Sequence, residues 1–195
     1  MNMKKIFVAA TALFMMGCEE MDGQLTVSKN LNVKSSKNQN VVLNAGTYNT
    51  TLDFKKDKVE ATVKANNNSK LKIVFDVPNN AQIPANGNFE LKSAQTGQPV
   101  DVIGNAKTVQ TQSAAQTGWE QCQVSDYQTI CNPQGCTAVP VNRWGQQYTE
   151  YYLRNTDKNI NFTMTEVGSV SKKLAQFQGA SRTSQKVIIR QDRCF

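Results

Sequence analysis

Apolar residues recur at every second position over most of this chain, and that period confines it to β-structure. Leu25, Val27, Leu31 and Val33 alternate with polar residues; Tyr48, Leu52 and Phe54 do the same after the turn Asn44-Ala45-Gly46; Val59, Ala61 and Val63 follow. Asn66-Asn67-Asn68-Ser69 predicts a turn, and Leu71, Ile73, Phe75 and Val77 predict a strand that Pro78 stops, because proline cannot donate to a sheet ladder. Phe89 and Leu91 then lead through the turn Thr96-Gly97-Gln98 to Val100 and Val102. Side chains of a strand point alternately to opposite faces, so this pattern describes ribbons with one buried face. Short strands punctuated by Asn and Gly, without a helical period, predict an all-β fold: an antiparallel sandwich or barrel-like module.

Composition changes partway along. Residues 23 to 118 carry eleven Lys but no Arg, Trp or Cys, whereas 119 to 195 hold both Trp, all five Arg, four of the five Tyr and four Cys. The polar, aperiodic stretch "NAKTVQTQSAAQTG" lies between. This divides the chain into a β-rich module at 25–104, a linker at 105–118 and a second β-rich module at 119–195. Strands of the second module are expected at Trp119 to Val124, Gln146 to Arg154, Ile160 to Met164 and Lys186 to Arg190. Val170, Leu174 and Phe177 allow at most one short helix, or an irregular strand. A module this small needs staples to supplement its core.

Cys122, Cys131, Cys136 and Cys194 supply them. If the chain is exported, an even number of cysteines reads as two disulfides. Zinc is the rival, but the chain has no histidine, and a site of cysteine alone would need four reduced thiols. No metal or other cofactor is expected. Of the three pairings, Cys131 with Cys136 and Cys122 with Cys194 are favoured: the first closes a Pro-Gln-Gly turn, and the second ties the final strand to the start of this region.

Without histidine there is no serine–histidine or cysteine–histidine relay, and neither a Gly-x-Ser-x-Gly elbow nor a phosphate-cradling loop occurs. Asp126, Glu150, Asp157 and Glu166 are the carboxylates that could form a glycosidase pair, yet their spacing selects no two of them. The expectation is that the protein is not an enzyme. Trp144, Tyr148, Tyr151 and Tyr152 are the best candidates for a binding face, since flat rings stack on sugars and anchor interfaces. Tyr148 and Tyr152 share one face of a strand and Tyr151 takes the other, so part of this group must be packing. The lysines are scattered singly, with only Lys55-Lys56 and Lys172-Lys173 adjacent, and no basic stripe with interleaved aromatics points to nucleic acid.

The N-terminal stretch "MKKIFVAATALFMMGCEE", Met3 to Glu20, remains. Lys4 and Lys5 precede eleven uncharged residues, Ile6 to Met16, too few for the roughly 20 that cross a bilayer but suited to a signal-peptide core. The run ends at Met15-Met16-Gly17-Cys18, where a small residue precedes a cysteine and polarity switches to Glu19, Glu20 and Asp22. This resembles the lipobox of bacterial lipoproteins, with Met15 where Leu is common. The resemblance covers about the first twenty residues. It implies a signal peptide at 1–17, cleavage before Cys18, acylation of the Cys18 thiol and usually of the new amino group, and a lipidated N-terminus with a short tether at 18–24. Without the two lysines of the signal, about five net positive charges remain. Two or three acyl chains hold a protein stably, at roughly 0.8 kcal/mol per buried methylene. Glu19, rather than Asp, after the lipidated cysteine implies delivery to the outer membrane. The expected function is therefore a non-catalytic envelope lipoprotein, a binding or structural module with the membrane as one partner and an envelope protein or polysaccharide as another. The alternative is a carboxylate-dependent enzyme acting on cell-wall or surface polysaccharide.

Overall fold

The computed structural model describes residues 19–65, 69–77 and 83–195. Cys18, the signal-like stretch, most of the turn expected at 66–69 and Pro78 lie outside them. The elements run β1 (Glu19–Val27), β2 (Leu31–Lys34), β3 (Asn40–Leu43), β4 (Gly46–Phe54), β5 (Lys58–Lys64), β6 (Lys70–Asp76), β7 (Gly87–Leu91), α1 (Ser93–Thr96), β8 (Asp101–Gln112), β9 (Gln116–Asn132), β10 (Gly135–Thr165) and β11 (Lys173–Gln191). The fold is all-β: one curled antiparallel sheet with strand order β6-β5-β4-β1-β11-β10-β8-β7, β9 pairing β10 off that path, and a small second sheet of β2 and β3. The chain divides into two compact units, the first ending at Val109 and rejoined by Asp157–Ser181, the second made of Gln110–Thr156 and Arg182–Phe195.

In the first unit the period-two pattern becomes a core. Leu25, Val27, Leu52, Val59, Ala61, Val63, Ile73, Phe75, Phe89, Leu91 and Val102 are buried, as their alternation requires. Phe75 on β6 and Phe89 on β7, the two ends of the strand order, line one apolar cavity of about 30 Å³ with Leu52, Ile160 and Phe162. The sheet therefore curls until its edge strands share an interior. Phe177, wholly buried, stacks on Phe162 with centroids 5.0 Å apart. Its ring fills the space above the cross-strand pair Gly23 and Gly179, where a Cβ on either residue would lie 2.5–2.6 Å from ring carbons. A large ring covering glycines in this way restores the packing they lack.

The buried polar groups Gln98, Asp101 and Glu60 of this unit are matched, whereas Asp53 Oδ1 and the Thr165 hydroxyl have no hydrogen-bond partner among the described residues. The Gln98 amide donates to the carbonyls of Lys34 and Val74 and accepts from the Lys34 N–H at 2.8 Å, pinning β2 to β6. Asp101 accepts the N–H groups of Ser93 and Gly168 at 2.8 and 3.0 Å. These bonds, that of Gly168 foremost, hold its carboxyl below the ordinary carboxylate range. Lys55 and Lys72 each approach Glu60 at 2.8 Å and Lys58 at 3.2 Å, and their hydrogen bonds lower the Glu60 pKa to about 2.

Three expected boundaries differ. The tether at 18–24 is strand from Glu19, with Glu19 opposite Phe54 and Met21 buried beside Leu25, because the inward alternation begins at Met21 rather than Leu25. The linker at 105–118 is strand to Gln112 and again from Gln116, since strand geometry needs cross-strand partners rather than apolar side chains. The expected second module at 119–195 surrenders 157–181 to the first unit, where Ile160, Phe162, Met164, Ala175 and Phe177 are core. The helix is α1, over part of the expected Thr96 turn and closed by Gly97 in the left-handed conformation, while Leu174 and Phe177 lie in β11.

Candidate binding face

The second unit is built on a long ribbon. β9 and β10 pair continuously from Gln116–Tyr151 to Asn132–Gly135. Alternation assigns the cross-strand pairs Trp119–Tyr148, Gln121–Gln146, Gln123–Trp144, Ser125–Asn142 and Tyr127–Pro140 to one face. Trp119 is 59% exposed, Tyr127 and Trp144 each 72% and Phe195 69%. Phe195 exchanges both backbone hydrogen bonds with Gln146, at 2.9 and 3.1 Å, which places it on the same face. Trp119 stands edge-on to Tyr148 at 5.5 Å and to Phe195 at 5.7 Å.

The opposite face carries the charges. Asp126 pairs with Arg143 at 3.3 Å, Glu120 bonds Lys186 and receives the Thr149 hydroxyl at 3.4 Å, and the Lys186 ammonium sits 3.9 Å from the Tyr151 ring centroid. Within β9 and β10 themselves, from Trp119–Tyr148 to Thr129–Ala138, the aromatic face carries no Asp, Glu, Lys or Arg.

This ribbon carries two disulfides. Cys131–Cys136 closes the tip, and Cys122–Cys194 ties the C-terminal segment to β9. Gly145, opposite Cys122, makes the second bridge possible: a Cβ there would lie 2.5 Å from the Phe195 carbonyl oxygen and 3.1 Å from the Cys194 sulfur. Among the described residues β10 has β9 as its partner toward the tip, and no side chain between Ser125 and Pro140 is even partly buried. A two-stranded ribbon without a packed face is marginal in water, so a covalent staple at the tip and a second partway along β9 are what such an element requires.

Of the expected group Trp144, Tyr148, Tyr151 and Tyr152, alternation puts Trp144 and Tyr148 on this face and Tyr151 on the other; Trp144 is exposed, and the three tyrosines are half-buried. Sequence reasoning missed Trp119, Tyr127 and Phe195. Counting back in pairs from Cys131–Cys136 would have aligned Trp119 with Tyr148 and Tyr127 with Pro140. Lipidation of Cys18 falls outside the described residues.

The four candidate carboxylates do not converge on one group. Asp126 lies opposite Val141, nine residues from Glu150 along β10, or about 30 Å of strand. Glu166 is bound by Lys172 at 2.8 Å in a turn, and Asp157 lies in β10 on the first unit's side of the division. The outward face of β1, β10 and β11 in the first unit forms an open concavity of about 500 Å³ lined by Gln24, Gln176, Gln178, Asn159 and Asn161, without a ring to stack on. Compared with protein-family models, with characterised proteins and with solved structures, the chain matches none significantly.

Proposed function

We propose that this chain is a non-catalytic lipoprotein of the bacterial outer membrane, anchored through acylated Cys18, whose second unit is a binding element. The anchor reading rests on Gly17-Cys18 following a short apolar run. The binding reading rests on one observation above all: exposed aromatic rings on one face of a ribbon that carries two disulfides. Large apolar rings in solvent are costly to maintain and mark surfaces that meet a partner. With β1 beginning at Glu19, an acylated Cys18 would leave no slack between lipid and sheet.

The enzyme reading has weaker support. A glycosidase acid must be held protonated, which requires a raised pKa. The deeply placed carboxylates Glu60 and Asp101 are shifted the other way.

Fractionation tests both halves of the proposal. The wild-type protein is expected to incorporate labelled palmitate and to float with outer membranes at high salt, and Cys18→Ala to do neither. The released Cys18→Ala protein is expected to bind purified envelopes, and Trp144→Ala with Tyr127→Ala to abolish that retention. A Cys18→Ala protein that still floats would sink the anchor, and ring-independent retention would sink the binding element.

A further inference from the structure

We infer that the aromatic face of the β9–β10 ribbon is a binding site for an extended, uncharged polysaccharide. The inference rests on the ribbon being the binding element and names its ligand class.

The argument begins with the order of side chains along the face. Ring-bearing pairs, Trp119–Tyr148, Gln123–Trp144 and Tyr127–Pro140, alternate with purely hydrogen-bonding ones, Gln121–Gln146 and Ser125–Asn142. At roughly 3.4 Å per residue, neighbouring ring-bearing pairs lie about 14 Å apart and the series covers about 27 Å. A ligand that meets every pair is therefore long and linear, and it must present apolar patches and hydroxyl groups in turn along its length. Sugar rings do so: their C–H faces pack against the electron-rich face of an aromatic ring, while the hydroxyls at their edges match amides that both donate and accept.

Charge then selects among long ligands. An anionic polymer or a phosphate-bearing headgroup would call for Lys or Arg, and the one such residue in the paired span of β9 and β10, Arg143, lies on the opposite face with Asp126, as Lys186 of β11 does with Glu120. A hydrocarbon surface would strand the glutamines, because burying amides without partners costs several kcal/mol in total. A neutral polysaccharide leaves no group on this face unmatched.

Rigidity agrees with the assignment. Stacking sites act in concert only when their spacing is fixed; Cys131–Cys136 closes the tip of this ribbon, and Cys122–Cys194 ties β9 to the C-terminal segment between the Trp119 and Gln123 positions. Ser125 donates to Asn142 at 3.1 Å, orienting the amide between two ring-bearing pairs.

Affinity electrophoresis and tryptophan fluorescence titration of the Cys18→Ala chain, disulfides intact, provide the test. The probes are a panel of neutral linear polysaccharides (mixed-linkage glucan, hydroxyethyl cellulose, amylose, galactomannan and dextran), alginate as an anionic polymer, and vesicles of phosphatidylethanolamine with phosphatidylglycerol. At least one neutral polysaccharide is expected to retard the protein and shift its emission, undiminished at high salt. Trp144→Ala and Tyr127→Ala, both at exposed positions that leave the fold intact, are each expected to weaken that binding roughly tenfold, the loss of one stacked ring. Failure across the neutral panel overturns the inference, as does binding confined to alginate or vesicles, or neutral-glycan binding that both variants retain in full. If the glycans fail while both variants lose retention on envelopes, the ligand is an envelope protein and the binding element stands. If envelope retention is also independent of the rings, both readings fall.

Discussion

The first unit buries Phe177, Leu25, Leu31, Ile73 and Met164 almost completely, whereas the second leaves Trp119, Tyr127, Trp144 and Phe195 largely in solvent. Among the described residues every fully buried hydrophobic side chain belongs to the first unit, and the second has Thr149 alone as a buried residue. Both disulfides belong to the second. The two regions thus use different physics. Burial at about 25 cal/mol per Å² supports the first. Restriction of the unfolded chain supports the second, and it does so without consuming the apolar surface, which stays available to a ligand.

That division makes each unit sensitive to a different change. The largest effect is expected from replacing Cys122 and Cys194 together by Ser. Their bridge spans a sequence separation of 72 residues, and by the chain-entropy estimate it contributes roughly 4–5 kcal/mol against the fully unfolded chain. Tryptophan emission, which reports the second unit alone through Trp119 and Trp144, is expected to lose its transition first in a thermal melt while the circular dichroism of the first persists. Coincident transitions would mean that the units are one cooperative body.

Phe177→Ala is expected to cost about 3–5 kcal/mol by opening a cavity above Gly23 and Gly179. Here the order of loss reverses, with the first unit melting early by dichroism.

Acid provides a third, smaller lever. Hydrogen bonds from Lys55 and Lys72 depress the Glu60 pKa to about 2, so its contribution is present above its ordinary value near 4.5 and is lost as pH falls through about 2. The shift corresponds to roughly 3 kcal/mol at most, and about 1–2 once the partial exposure of the lysines is allowed for. Unfolding free energies from urea titrations followed by dichroism between neutral pH and pH 2 are expected to fall by that amount more in the wild type than in Glu60→Gln. Equal declines would remove Glu60 from the explanation.

At the bottom of the scale stands Trp144→Ala. An exposed ring on a coreless ribbon should change stability by less than about 0.5 kcal/mol, so a larger drop in the melting temperature would reveal packing that the second unit is held here to lack.

Much of the fold could be read from the chain because its signal is local. Leu25–Val27, Val59–Ala61–Val63 and Ile73–Phe75 each declare a strand and an inward face within a few residues. Met21 belonged to the same series and was obscured by the charges around it, of which Glu20 and Asp22 occupy outward positions. The ribbon was less visible. Residues 125–140 have little apolar alternation, and Pro140 argues against a central strand, yet it is tolerated where β10 runs toward the tip with β9 as its partner. Membership of 157–181 in the first unit depends on pairing between distant strands, which no local window contains. The site divides in the same way: Trp144 and Tyr148 are neighbours in sequence, whereas Trp119 and Tyr127 join them only through the register of β9 on β10, and Phe195 through its pairing with Gln146 beside the Cys122–Cys194 bridge.

Hydrogen exchange read by mass spectrometry, with and without reductant in otherwise native buffer, addresses the contrast between the units most directly. Before reduction, backbone amides of β9 and the facing part of β10 should be protected along with those of β1, β4 and β11. After both disulfides are reduced, peptides covering 120–146 are expected to exchange rapidly, while those covering 21–27, 58–64 and 173–178 keep their protection. If the ribbon stays protected without its bridges, it has a packed support of its own; if protection collapses in both units together, the first depends on the bridges as much as the second, and order by burial in one and by staples in the other is refuted.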